Sequence, residues 1–156
     1  MFTAVILLLT IIAYSMIVSQ SFMYLLALKY TQINLDAPAY ITMRHLIDTA
    51  MNKTFRYVIY ASLLLNLLLV ISSATNPSSL SFLTAAIAFI CLLADIIITV
   101  KGNLPINAAI NKWTADNYPQ NWNDYRIKWL RYFRYRQIVN LAGFVSLIAG
   151  AVFKNV

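Results

Sequence analysis

The sequence predicts an all-α protein: a bundle of four transmembrane helices, with the second and fourth extended on the cytoplasmic side. Three observations predict it. Of 156 residues, 61% are hydrophobic and only 11% charged, with a mean hydropathy of +0.69; a soluble domain carries about a quarter charged residues. Four windows, about 2–28, 57–74, 80–100 and 137–153, are apolar over nearly the length that crosses a bilayer, roughly 20 residues. The cations fall almost entirely into two of the intervening loops. The same composition excludes a disordered chain, a collagen-like repeat and a disulfide scaffold. The windows occupy most of residues 1–156, so a single integral membrane domain is expected.

The first window runs without charge to Lys29 and lacks the basic start of a signal peptide, so it is expected to be a genuine span. Gln20, near its inner end, should face protein. Asp36-Ala37-Pro38 reads as a helix start, because Asp caps free amides and Pro fits the first turn. The next breaker is Asn76-Pro77, so the second helix should run from about 37 to 74, longer than a bilayer requires. Thr75 to Ser79 forms a tight turn. The third window, Leu80 to Val100, is expected to be interrupted or kinked by Gly102 and Pro105. Asp116 to Pro119 is a loop, and a last long helix runs from about Asp124 to Phe153, basic and aromatic first, apolar afterwards. Trp113, Trp122 and Trp129 gather around that loop, as in an interfacial aromatic belt.

A formal charge of +7 would suit nucleic acid, but the positions argue otherwise. Lys29, Arg44, Lys53 and Arg56 lie between spans one and two. Lys101, Lys112, Arg126, Lys128, Arg131, Arg134 and Arg136 lie between spans three and four, and only Lys154 follows span four. By the positive-inside rule both termini face outward and the two basic loops face the cytoplasm, as in a bacterial inner (plasma) membrane protein, with no nucleic-acid partner. The basic face should attract anionic headgroups of the lipid bilayer.

Several polar residues need an explanation. Projected at about 100° per residue, His45, Asp48, Asn52, Arg56 and Asn66 share a sector of roughly 80° on the second helix, with Arg44 and Lys53 to its two sides. The stripe reads either as a solvated face or as the lining of a bundle interior. Asp95 lies inside the third window, where a carboxylate is expensive and marks a functional site with a partner; Arg136 and Arg56 are the candidates, and a purely structural ion pair is the alternative. On the last helix Arg136, Asn140, Gly143 and Gly150 share a face, and the small residues allow close helix approach. These residues converge on the cytoplasmic end. They predict a pocket with His45, Asp95 and Arg136 as catalytic groups, and Asp48, Asn107, Trp129, Tyr132 and Asn140 as ligand-binding groups.

No HExxH, GxSxG or P-loop is present. The single cysteine, Cys91, reads as a small buried hydrophobe. The single histidine precludes a bis-histidine haem within one chain and leaves open a haem with His45 as sole axial ligand. No metal site is expected and no cofactor is required by the residues.

Two short segments resemble a known family. Gly102-Asn103-Leu104-Pro105-Ile106-Asn107, followed by Trp129-Leu130-Arg131-Tyr132-Phe133-Arg134-Tyr135-Arg136, is similar to the DUF1772, or anthrone oxygenase-like, membrane proteins. The shared pattern is Pro105-x-Asn107 after the third span, then Trp129, Arg131, Tyr132 and Arg136 opening the fourth. Phe133 departs from it, at a position where members often carry His or Asn. The resemblance implies a four-helix membrane protein and, for some members, cofactor-free oxidation of an anthrone by dioxygen. A membrane oxygenase-like protein that binds or oxidises a lipophilic anthrone, phenol or quinol is therefore expected. The alternatives are a non-catalytic binder of a quinone, lipid or haem-like ligand, and an accessory subunit. The sequence sets no oligomeric state.

Overall fold

A computed structural model describes residues 2–153, all of whose regular elements are helical; Lys154 and the positions beyond it lie outside the described residues. Four helical rods form the molecule. Rod α1 comprises Phe2–Met23, a wide π-helical turn at Tyr24–Leu28, and Lys29–Asn34; α2 is Ala37–Ser73. Rod α3 comprises Leu80–Ile98, a second π-helical turn at Thr99–Asn103, and Leu104–Ile110; α4 is Trp122–Phe153. All four are long and apolar enough to cross a membrane. The protein has the build of an integral membrane bundle.

The start signals act as the sequence predicts. Asp36 Oδ1 accepts from the Ala39 amide at 3.0 Å, with Pro38 in the first turn, and Ser79 Oγ accepts from the Phe82 amide at 3.2 Å. Each bond satisfies an amide that the first helical turn leaves free. At 37 residues α2 is about 55 Å long, against roughly 30 Å of hydrocarbon. Its surplus carries the polar residues His45 to Arg56 beyond the apolar stretch. The expected interruption at Gly102 and Pro105 takes the form of the π-helical turn Thr99–Asn103, and α3 continues beyond it to Ile110. Pro105 would clash with the carbonyl one turn back in a regular α-helix. The wide turn immediately before it, closed by the Leu104 amide bonding to the Thr99 carbonyl, loosens that turn and lets the rod go on.

The rods pack in cyclic order, each against two neighbours. Outward faces are apolar: Leu8, Ile12, Leu64, Ile71, Ile90, Ile97 and Val145 are all exposed. Inward faces carry polar groups such as Thr10, Ser62, Asn66 and Asn140, as expected where lipid is the solvent. Gly143 and Gly150 let α4 approach closely: a Cβ at Gly143 would strike the Tyr14 hydroxyl, and one at Gly150 the Thr84 hydroxyl.

Two cores divide the bundle. One, around Tyr14, Ile17, Leu69, Ala88, Leu92 and Leu147, fills the half nearest the uncharged turn. The other, at the basic end, is aromatic: Tyr24, Tyr40, Trp129 and Phe133 are buried, with Trp113, Trp122 and Tyr125 against them. Trp129 and Phe133 stack with ring centres 5.0 Å apart. Of the three tryptophans, Trp129 is packed interior, while Trp113 and Trp122 are half-buried around it. Arg126, which the loop charges alone would assign to topology, donates from Nη1 to the carbonyls of Gln32 and Leu35 at 2.9 and 2.8 Å and lies over the Trp122 ring. It thereby fastens the α1–α2 connection to the start of α4.

Candidate functional site

Between the two cores, at the basic end, the four rods enclose a cavity of about 590 Å³. That is within the range of small-molecule sites, roughly 300–1,000 Å³. Its walls are mostly apolar, with Met23, Met51, Phe55, Ile59, Ile96 and Phe133 among them. Five charged side chains line it: Arg44, Asp48 and Arg56 from α2, Asp95 from α3 and Arg136 from α4. Exposed lining residues Asn52, Arg56 and Tyr60 of α2 and Val100 and Leu104 of α3 mark where it reaches the surface.

Asp95 sits at the inner wall, 1% exposed. Its Oδ1 accepts from Arg136 Nε at 2.7 Å, the single ion pair among the described residues. Asp95 Oδ2 is buried with no partner. Both residues come from rods that pack closely along their length, α3 and α4, so the pair is held from two rigid sides. A carboxylate oxygen with unused lone pairs, buried in an apolar cavity, costs free energy unless something donates to it. It is the natural acceptor for a ligand proton.

The outer wall is a network centred on Asn107. Its Oδ1 accepts from Arg44 Nη2 and from Trp129 Nε1, both at 2.8 Å, and its Nδ2 donates to Asp48 Oδ1 at 3.0 Å. Asp48 Oδ2 accepts from Asn111 at 2.6 Å and from Asn52 at 3.3 Å. The Arg44 guanidinium lies over the Trp129 ring, 4.1 Å from its centre, a cation–π geometry. Asn103, buried one turn before Asn107, donates to the Trp129 carbonyl at 3.1 Å and keeps a free, buried Oδ1.

The structure thus brings together Asp48, Asp95, Asn107, Trp129 and Arg136 of the sequence-predicted set, all in the cavity wall. Three others lie elsewhere. His45 is half-buried outside the lining, its Nε2 at 3.1 Å from the Ile110 carbonyl. Tyr132 is on the outer side of α4, its ring against Gly102, and Phe133 takes the inward place. Asn140 is buried below the cavity with an unpartnered Oδ1. Among the described residues no three His, Cys, Asp or Glu side chains gather as a metal site would require.

Arg44, Tyr24 and Asn103 are lining residues that the sequence reading did not place. The cavity-facing sector of α2 is centred near Asp48 and Phe55, roughly 60–80° around the helix from His45. A sector centred on the charges leaves Arg44 at its side, whereas the structure brings Arg44 into the wall. The signal available was its spacing, one turn before Asp48.

Residues 43–146 match the family model described as Anthrone oxygenase. The matched span is more than half the chain and includes every charged residue of the cavity. No curated protein and no solved structure matches the chain.

Proposed function

The chain belongs to the anthrone oxygenase family, and from that premise we propose that it is a membrane oxygenase that takes a lipophilic aromatic of the anthrone, phenol or quinol type into the cavity at its basic end. The observation that carries the reading is the unpartnered, buried Oδ2 of Asp95 in the wall of an apolar cavity, beside the Arg136 cation. The ring methylene of an anthrone is acidic, because losing its proton leaves an aromatic enolate. Asp95 Oδ2 accepts that proton, and the Arg136 guanidinium stabilises the enolate oxygen. Dioxygen, the oxidant, then reacts at the electron-rich ring carbon. The methylene becomes a carbonyl; one oxygen atom stays in the product and the other leaves as water with the two hydrogens. In this reading His45 supports the rim through α3 and is not the base.

The positive-inside distribution of cations supports a topology with both termini outside and the cavity toward the cytoplasm. The four apolar rods, packed on one another, support one integral membrane domain over residues 1–156, which we place in a plasma membrane.

The test uses purified protein in lipid nanodiscs with 1,8-dihydroxyanthrone, following dioxygen uptake, quinone absorbance and incorporation of labelled oxygen. The protein should accelerate all three, and Asp95→Asn should lower the rate by about 10²-fold or more. Uptake no faster than in empty nanodiscs removes the oxygenase reading. One observation favours a second reading, a non-catalytic binder of a quinone or lipid: Asp95 is already bonded to Arg136 at 2.7 Å, as in a purely structural ion pair, and the rest of the cavity wall is mostly apolar. Binding of a quinone without dioxygen uptake would select it.

A further inference from the structure

Arg44 is a buried cation that the oxidation outlined above does not use. It is 3% exposed and lines the cavity; its Nη2 donates to Asn107, the Tyr24 hydroxyl stands beside the guanidinium, and its buried Nε has no acceptor. The face of Trp129 against the guanidinium attracts the charge without neutralising it. Asp48, one helical turn on, would be the expected counter-charge, but no ion pair joins them. Its two oxygens are taken by the amides of Asn107, Asn111 and Asn52, and Asn107 stands between the acid and the base. Asp95 is already occupied by Arg136. Around the cavity, three cations (Arg44, Arg56 and Arg136) face two carboxylates (Asp48 and Asp95), leaving one positive charge in excess.

A buried guanidinium whose partners are neutral groups and which has no carboxylate of its own is stabilised further by an anion. Its planar fork matches a carboxylate. We propose that Arg44 is an anion-binding residue of this cavity, and that the aromatic ligand carries an ionised carboxylate that seats on its guanidinium. The carboxylate sits at the Asn107–Trp129 wall and the ring system extends along the apolar walls toward Asp95. The network explains why Arg44 can wait for such a ligand. Asn107 and Trp129 hold the side chain in position from two sides, so the fork is already oriented when the ligand arrives. The inference rests on the proposed function only for the aromatic body of the ligand.

The test compares two probes of nearly equal shape, anthraquinone-2-carboxylate and its neutral carboxamide, binding to the protein in zwitterionic nanodiscs. Binding is read by quenching of tryptophan fluorescence, with empty nanodiscs as the partition control. The carboxylate should bind about tenfold more tightly or better. Arg44→Gln should bring the two probes to near parity, the carboxylate losing several-fold more affinity than the carboxamide. Should that variant fail to fold, Arg44→Lys keeps the charge without the fork, and the preference should fall by about threefold or more. Equal binding of the two probes by the unsubstituted protein overturns the proposal, as does failure of the carboxylate probe to bind. A preference that survives in the substituted protein overturns it too, by assigning the charge effect to other cations. Dioxygen uptake is measured in parallel. A carboxylate preference without uptake keeps Arg44 and removes the oxygenase reading, whereas uptake without preference does the reverse.

Discussion

The indole Nε1–H of Trp129 donates to Asn107 Oδ1 across the mouth of the bundle, at 2.8 Å. The two residues belong to the two short segments that carry the family pattern, and this bond joins those segments directly. Arg44 donates to the same oxygen. With two donors on one side and the Asp48 carboxylate on the other, the amide has a single workable orientation, since only oxygen can face the donors and only nitrogen the acid.

Asn107→Leu should therefore cost more than an ordinary buried substitution. It removes an acceptor from a guanidinium and an indole and a donor from a carboxylate. Each stranded group costs roughly 1–3 kcal/mol, so thermal unfolding in detergent should show a loss of about 3 kcal/mol or more. A change within about 0.5 kcal/mol, the range of neutral surface substitutions, would mean that water reaches all three partners.

At the inner wall, Asp95→Ala leaves Arg136 buried and unpaired, and about 3–5 kcal/mol should be lost. The double replacement Asp95→Leu with Arg136→Met should recover most of that loss, because it removes both desolvated charges together. Additive losses in the double variant would show that each side chain is held by something other than its partner.

The glycine contacts predict a contrast. Gly143→Ala forces a methyl into Tyr14, which is fully buried and has nowhere to move, so overpacking of about 1–3 kcal/mol is expected. Gly102→Ala meets the Tyr132 ring, which is 37% exposed and can swing outward. Its cost should be the smaller of the two in the same unfolding assay, and the reverse order would refute the packing argument.

The topology is tested with single cysteines in a Cys91→Ala background. Ser78→Cys, in the turn before α3, should react with a membrane-impermeant maleimide in intact cells. Asp116→Cys, in the loop before α4, should react only after permeabilisation. The opposite pattern would place the cavity on the outer side.

Much of this architecture is legible in the sequence because its causes are local. Asp36 and Pro38 start a helix wherever they stand, Asn76-Pro77 stops one, and long apolar runs admit one solvent. The Asp95–Arg136 pair is legible for a related reason: a carboxylate inside a span must find a cation, and few stand at its depth. What the sequence hides depends on rotation. Tyr132 and Phe133 differ by one residue and about 100°, and only packing decides which turns inward. His45 and Arg44 are exchanged in the same way, because a stripe drawn through charges need not be centred on the face that the neighbouring helices cover. The wide turn that carries α3 past Pro105 is legible in part: Gly102 and Pro105 mark the place, and only packing lets the rod continue beyond it.

That turn also settles a question of phase. Asp95, Thr99, Asn103 and Asn107 all line the cavity although they are spaced four residues apart. In a regular α-helix each such step advances by about 40°, so Asn107 would stand about 120° away from Asp95. A π-helical turn accommodates roughly one extra residue, which sets the rotation back by about 100° and leaves the first and last nearly in line. The turn in α1 does the same for Gln20, Tyr24 and Leu28 on the facing wall. Two single-residue offsets, one in each rod, turn helices that would wind away from the cavity into straight columns of side chains along it.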